Sequence, residues 1–487
     1  MRNYLTGRVK NLTDNFTSND KTASLVFAVL ASVCFALVLL YLSGIASKWT
    51  AIFALSLFFP MFAAKIRSIR KAFAALLIFS FSVHMDFNPW YSDMNIGIPI
   101  SLTGLAVVAL YVIWFFNLLN KTARPRLFPS VTIPLGALCI WSGLSFLVSL
   151  NPSYVWYYFV FSLEFFLIYF YAANFLRTEE DIRFIVNCVA FTVLFSAGVG
   201  ICQYLFPNSF NFQFMGWENE ALKLYYKGIA ITRAVGFLGH SNALALFLNA
   251  WLPLLILYAS GIERSATRLL CFLSFGAGII ALVLTFSRGG WLTFALSSFL
   301  ILGFFLRGRI SSRLSRFIRF IPGIALVLLL LVIPFSPYIH DRLSRDDYEA
   351  AESRIKLAKT AFEIIKEKPV TGVGLGNYRL AVPSEPYSDE LPPPVHNIYL
   401  KIAAELGIPA AVLFIWICLT FLRWGLASLS SGERYVLCFS IGLIGGLVAI
   451  CFHGMFEPGS IGDPVLLPLS FIGGLMVSLR AFVRNKR

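Results

Sequence analysis

Apolar residues in this chain come in long runs, and the polar positions between them are few and clustered. A helix needs about 20 mostly apolar residues to cross the hydrocarbon core of a bilayer. Runs of that order recur at 23–44, 49–64, 72–86, 98–119, 130–150, 154–175, 182–206, 238–260, 269–286, 289–306, 319–337, 397–422, 434–453 and 464–482. The pattern predicts an all-α integral membrane protein with about 14 transmembrane helices, in a range of about 12–14. The second and third runs are short and predict a tight hairpin. No internal repeat is visible, and the inverted halves of many transporters are not evident.

The basic residues orient the runs. With the N-terminus in the cytoplasm, one set of segments collects Arg2, Arg8, Lys10, Lys21, Lys65, Arg67, Arg70, Lys71, Lys121, Arg124 and Arg126. The same side takes Arg177, Arg183, Arg264, Arg268, Arg307, Arg309, Arg313, Arg316, Arg319, Arg423, Arg434, Arg480, Arg484, Lys486 and Arg487. The short loops opposite hold only Lys48 and Arg288. Lysine and arginine stay on the cytoplasmic side of short loops, so both termini are expected inside. Two long loops, about 207–237 and 338–396, are expected outside. The chain then divides into a cytoplasmic segment (1–22), an N-terminal membrane-helix bundle (23–230), a membrane core with two notable arginines (231–337), an extracytoplasmic loop (338–396), C-terminal membrane helices (397–483) and a cytoplasmic tail (484–487).

Composition agrees with lipid as the solvent. The chain of 487 residues is 58% hydrophobic and 13% charged, against nearer half and a quarter for soluble domains. A net charge of +15 would point to nucleic acid in a soluble protein. Here the cations sit in loops between apolar runs, so they are read as orientation, with no nucleic-acid partner. The cysteines, Cys34, Cys139, Cys188, Cys202, Cys271, Cys418, Cys438 and Cys451, fall within apolar runs. They show no metal or redox spacing and read as small hydrophobes.

Candidate chemistry gathers on the outer side. His84, His240, His340, His396 and His453 all map there. Arg233 ends the first long loop, just before the helix whose start is expected at Ser241 or Asn242, good N-caps. Arg288 sits in LTFSRGGWL, between two apolar runs. A charge held at membrane depth costs at least about 2.5–3.5 kcal/mol, so a compensating group is expected, and Gly289 and Gly290 leave room for a bulky anion. Residues 348–368 carry Ile355, Ala358, Ala361, Phe362 and Ile365 at helical spacing, predicting an amphipathic helix at the membrane surface. The glycines of PVTGVGLGNY (369–378) lack the strand and βαβ context of a dinucleotide site and read as a turn or a wall of a site. Three prolines then lead into His396 and Asn397, which open a membrane helix; Asn397 is a candidate cap, and the stiff entry holds the imidazole at the water boundary.

Two arginines and a histidine on one face suit a diphosphate substrate with a sugar acceptor. Guanidinium forks match phosphate oxygens, and a histidine base within reach of a hydroxyl adds roughly 10²–10⁴-fold. No outer cluster has clear metal-ligand spacing, so neither metal nor cofactor is expected. Asp346–Asp347 and Asp389–Glu390 read as solvated charge.

The runs RAVGFLGHSNALA (233–245), SRGGWL (287–292), PVTGVGLGNY (369–378) and VHNIYLKIAAELGIP (395–409), in that order, resemble the O-antigen ligase/O-antigen polymerase family of bacterial membrane proteins. The resemblance spans roughly 230–455. It implies transfer of a glycan from an undecaprenyl-diphosphate carrier to an acceptor hydroxyl at the outer face of the inner membrane, metal-independent and with inversion. It assigns the diphosphate to Arg233 and Arg288 and acceptor activation to His396. His240, Asn397 and Glu457, the last in a late outer loop, are supporting candidates. The expected partners are the lipid-linked donor, a glycan or lipid-linked acceptor and membrane lipids. A polymerase is favoured over a ligase, because nothing in the long loop reads as a protein-acceptor module. The rival class is a flippase of lipid-linked oligosaccharides or another transporter.

Overall fold

The computed structural model describes residues 68–83, 86–87, 97, 99–121, 125–126, 128–207, 223–226, 229–263, 265–306, 348–383 and 392–485. The runs predicted at 23–44, 49–64 and 319–337, together with His84, His340 and both acidic pairs, lie outside them. The chain forms two compact units: Met1–Ile78, Ile100–Pro125 and Phe212–Glu218 in one, and Phe79–Pro99, Arg126–Asn211 and Asn219–Arg487 in the other. The helix α1 (Ile69–Ser80) falls mostly in the first, and α2 (Leu102–Leu119) wholly in it.

The second unit carries α3 (Thr132–Leu144), α4 (Pro152–Ala173), α5 (Glu179–Leu205), α6 (Ser241–Gly261), α7 (Ala266–Leu284), α8 (Arg288–Leu306), α9 (Tyr348–Glu367), α10 (Ile398–Leu406), α11 (Ile408–Ser428), α12 (Arg434–His453) and α13 (Leu467–Asn485). Among the described residues, 8 helices are long and apolar enough to cross a membrane: α2, α4, α5, α6, α7, α11, α12 and α13 with the short turn before it. The protein is a multi-pass membrane protein.

Local signals set the helix ends. Thr178 and Asp181 form a reciprocal capping box at the start of α5, which satisfies two orphan N–H groups at once. Proline occupies the first turn of α4 and of α11, where its missing N–H costs nothing. Inside the bundle, small residues decide what touches. The helix α6 is buried along nearly its whole length. It packs on α12 through the Gly442, Gly445 and Gly446 face: a Cβ at Gly446 would lie 2.2 Å from the Ala250 carbonyl oxygen, and one at Gly442 2.6 Å from Leu254 Cα. Lipid cannot drive helices together by the hydrophobic effect, so close backbone approach supplies the attraction. The helix α11 shows the other side of this logic. Ala410, Ala411, Phe414, Ile417, Cys418 and Phe421 are buried, while Ile408, Val412, Ile415, Trp416, Leu419 and Leu426 form an exposed apolar stripe. In water such a stripe is a liability; against acyl chains it costs nothing.

The fold corrects several sequence expectations. The predicted run 397–422 is two helices, because Gly407 adopts φ +86° between α10 and α11. The run 130–150 gives α3 followed by a 3-10 turn, Ser145–Val148, and 72–86 gives the 12-residue α1. The loop 207–237 holds an antiparallel hairpin, β1 (Lys223–Tyr226) paired with β2 (Ile229–Thr232), which the all-α reading did not contain. The amphipathic helix is present as α9, but its buried stripe is Leu357, Ala361 and Ile364. Ile355 and Phe362, read as part of its apolar face, are 57% and 60% exposed. The buried stripe packs on protein, with Val373, Tyr378, Val382, Val395 and Ala404, and not on lipid.

Candidate active site

Four helix ends and one surface helix surround a cavity of about 360 Å³. It is lined by Arg233, His240 and Asn242 from the start of α6, Phe286 to Gly289 and Leu292 from the α7–α8 turn, Arg354 from α9, His396 from the entry to α10, and His453 and Phe456 from the end of α12.

The Arg233 segment is anchored by its backbone. Ala234 N donates to Leu284 O at 2.9 Å, and Arg233 Nε donates to Thr285 O at 2.9 Å. Gln203, near the end of α5, accepts from the Val235 and Gly236 amides and donates to Gly236 O through its side-chain amide. A lone glutamine near the end of an apolar helix is the sequence signal for this anchor.

Arg288 is the first residue of α8, not the middle of a turn. Ser287 Oγ accepts from Gly290 N at 3.1 Å as the helix cap, and Phe286 takes a positive φ of 50° just before it. This strained residue is fully buried, so packing holds the turn that aims Arg288. Gly290 does not leave room for a ligand: a Cβ there would lie 2.7 Å from Ala245 Cβ. Its smallness lets α8 approach α6, where Asn249 Nδ2 donates to Gly290 O at 2.9 Å. Gly289 does line the cavity, against Phe456.

His240, not Ser241 or Asn242, caps α6: its Nδ1 accepts from Asn242 N at 3.2 Å. Asn397 caps α10 by accepting from Leu400 N at 3.0 Å and is not among the cavity residues. His396, one residue earlier, does reach the cavity. Its Nδ1 is buried with no hydrogen-bond partner among the described residues. Burial, then the charges of Arg354 and His240, lower its pKa to about 4, so the imidazole is neutral near pH 7 and able to accept a proton.

Glu457 stands behind the cavity wall. Its Oε2 lies 4.0 Å from His453 Nε2, and both side chains are buried. Burial pushes the Glu457 carboxyl up to about 8, against the opposing hydrogen bond from Asn242.

The glycine-rich segment lies elsewhere. Gly372, Gly374 and Gly376 all have positive φ, and Val373 N and Gly374 N donate to Ala404 O and Glu405 O at the end of α10. It is a turn packed on a helix terminus and contributes nothing to the cavity lining. Beside it, Lys401 Nζ donates to Asp463 Oδ2 at 3.1 Å, and Ser460 Oγ donates to Glu405 Oε2 at 3.0 Å. Burial opposes the Lys401 charge, but Asp463 and Glu405 overrule it and raise its pKa.

Two lining residues, Arg354 and His453, have no role expected from the sequence, because nothing local separates Arg354 from the other charges of the stretch 348–368. Among the described residues, no three His, Cys, Asp or Glu side chains come together as a metal would need.

No curated protein matches the chain. Residues 272–415 match the family model described as O-antigen ligase, a span that holds Arg288, Arg354 and His396 and leaves out Arg233, His240, His453 and Glu457. Through that segment the chain is similar to the O-antigen ligase family.

Proposed function

We propose that this protein transfers glycan from an undecaprenyl-diphosphate-linked donor to an acceptor hydroxyl, on the extracytoplasmic face of the bacterial inner membrane. The observation that carries the reading is the meeting of Arg233, Arg288 and His396 around one cavity. These residues come from three separate stretches of chain. His396 takes the proton of the acceptor hydroxyl, whose oxygen attacks the anomeric carbon from the face opposite the diphosphate. The bond from that carbon to the diphosphate oxygen breaks, and its electron pair stays with the diphosphate. Arg233 and Arg288 stabilise the charge that develops there, which preorganised cations do well in a water-poor site. No metal takes part in this scheme, and the configuration at the anomeric carbon inverts. Both substrates lipid-linked, as in a polymerase, is the favoured arrangement.

The test uses purified protein in lipid nanodiscs with a lipid-linked oligosaccharide donor. Arg288→Ala is expected to lower kcat by about 10²–10³, and His396→Gln by roughly 10²–10⁴. Undiminished product from either variant would sink the assigned role. Product that vanishes with chelator and returns with added divalent ion would refute metal independence.

A further inference from the structure

The cavity's cations come from two differently held segments. Arg233 is tied to the segment that leads into Arg288: its Nε donates to Thr285 O, three residues earlier. Arg354 arrives on α9. There Leu357 and Ala361 pack in one apolar cluster with Val395, the residue before His396, and with Ala404 of α10. Tyr378 Oη donates to Leu357 O at 2.8 Å and pins that turn of α9. Arg354 and His396 are therefore carried into the cavity by one packed body, separate from the segment that holds Arg233 and Arg288.

A guanidinium beside a base weakens the base. Among the described residues, no carboxylate bonds the buried His396 Nδ1 to offset this. The other groups around it are Arg233, Arg288, His240 and His453, with Glu457 behind the last; burial lowers its proton affinity most, and the Arg354 charge lowers it further. The arrangement makes sense if an arriving anion cancels the Arg354 charge. The base sits where the acceptor must sit, so the acceptor carries that anion.

We propose that Arg354 is the acceptor-side anion site of the cavity: it binds a carboxylate or phosphate on the acceptor glycan and so strengthens His396 as a base when the acceptor is bound. This rests on the transferase reading above. The acceptor class it names is an acidic glycan.

The experiment follows the histidines by NMR in ¹⁵N-histidine-labelled full-length protein in nanodiscs, with five histidines to resolve and His396→Gln to assign one. The probes are glucuronate, glucose and inorganic pyrophosphate. Glucuronate is expected to raise the His396 pKa in wild type, and glucose to leave it unchanged. Arg354→Gln should raise the resting His396 pKa and abolish the glucuronate response, while Arg354→Lys keeps part of it. Pyrophosphate affinity should fall about tenfold or more in Arg288→Gln, as expected for a lost charge-assisted hydrogen bond, and stay unchanged in Arg354→Gln. If Arg354→Gln weakens pyrophosphate as much as Arg288→Gln does, Arg354 is a third donor clamp and the proposal is wrong. It is equally wrong if glucuronate leaves His396 unmoved. In turnover, Arg354→Gln should raise KM for a uronate-bearing acceptor and not for its carboxyl-reduced form. A wild-type protein that makes no product fails the transferase reading alone; product formation indifferent to Arg354 fails this one.

Discussion

Arg288 and His396 owe their positions to neighbours that do no chemistry. A capping serine and a buried phenylalanine at φ 50° aim the one, and a proline-stiffened entry ending in the Asn397 cap aims the other. At this scale the sharpest expectation concerns pH. The His396 pKa is lowered to about 4, by burial first and then by Arg354 and His240. A lowered histidine pKa means the imidazole stays neutral, and able to take a proton, at every pH above that value. The acid limb of kcat/KM, which reports the free enzyme, should therefore fall near pH 4 and not near the usual histidine value of about 6.5. A limb at the ordinary value would mean that His396 is not the group being titrated.

Element by element, glycine does two different jobs. In α12 and α8 it is small, so that neighbouring helices can approach. At Gly407 it supplies a backbone conformation, φ +86°, that lets α10 end and α11 begin. A Cβ at Gly407 would lie 2.0 Å from the Val370 carbonyl oxygen. Gly407→Ala should thus cost more than the roughly 1–3 kcal/mol of a strained backbone alone, read as a lowered unfolding temperature in nanodiscs. Gly303→Ala is the control: a Cβ there meets nothing within 4 Å. In a helix interior that change is neutral or stabilising by roughly 0.5–1 kcal/mol. Equal losses in the two variants would contradict the account of the break.

At the level of the whole molecule, one buried polar knot ties α10 to the segment after α12. Lys401 bridges Pro458 O and Asp463 and lies 5.8 Å from the centre of the Tyr158 ring on α4. Lys401→Met would leave Asp463 without its partner in a mostly buried setting, and breaking such a pair costs about 3–5 kcal/mol. Loss of folded protein in size-exclusion chromatography, with rescue by Lys401→Met plus Asp463→Asn, is the expected result. Orientation is also a whole-molecule property. With the cavity outside, a cysteine at Lys359, on the exposed side of α9, should react with a membrane-impermeant maleimide in intact cells. One at Ser431, in the α11–α12 loop, should react only after permeabilisation. The reverse pattern would turn the molecule over.

The chain's own pattern was enough to establish that it lives in a membrane and where most described helices lie, and it singled out Arg233, Arg288 and His396, which line one cavity. Apolar run length and loop charge are local properties, and lipid enforces them at every position. Three things needed the tertiary structure. The run 397–422 is broken, because Gly407 takes a positive φ only where Val370 packs against it. The buried stripe of α9 is Leu357, Ala361 and Ile364, and not the stripe through Ile355 and Phe362, because its partner is α10 and the glycine turn. Arg354 and His453 join the site, because packing between helices distant in sequence decides which polar side chains share a cavity. Helical periodicity says which residues lie on one face; only the packed neighbours say what that face meets.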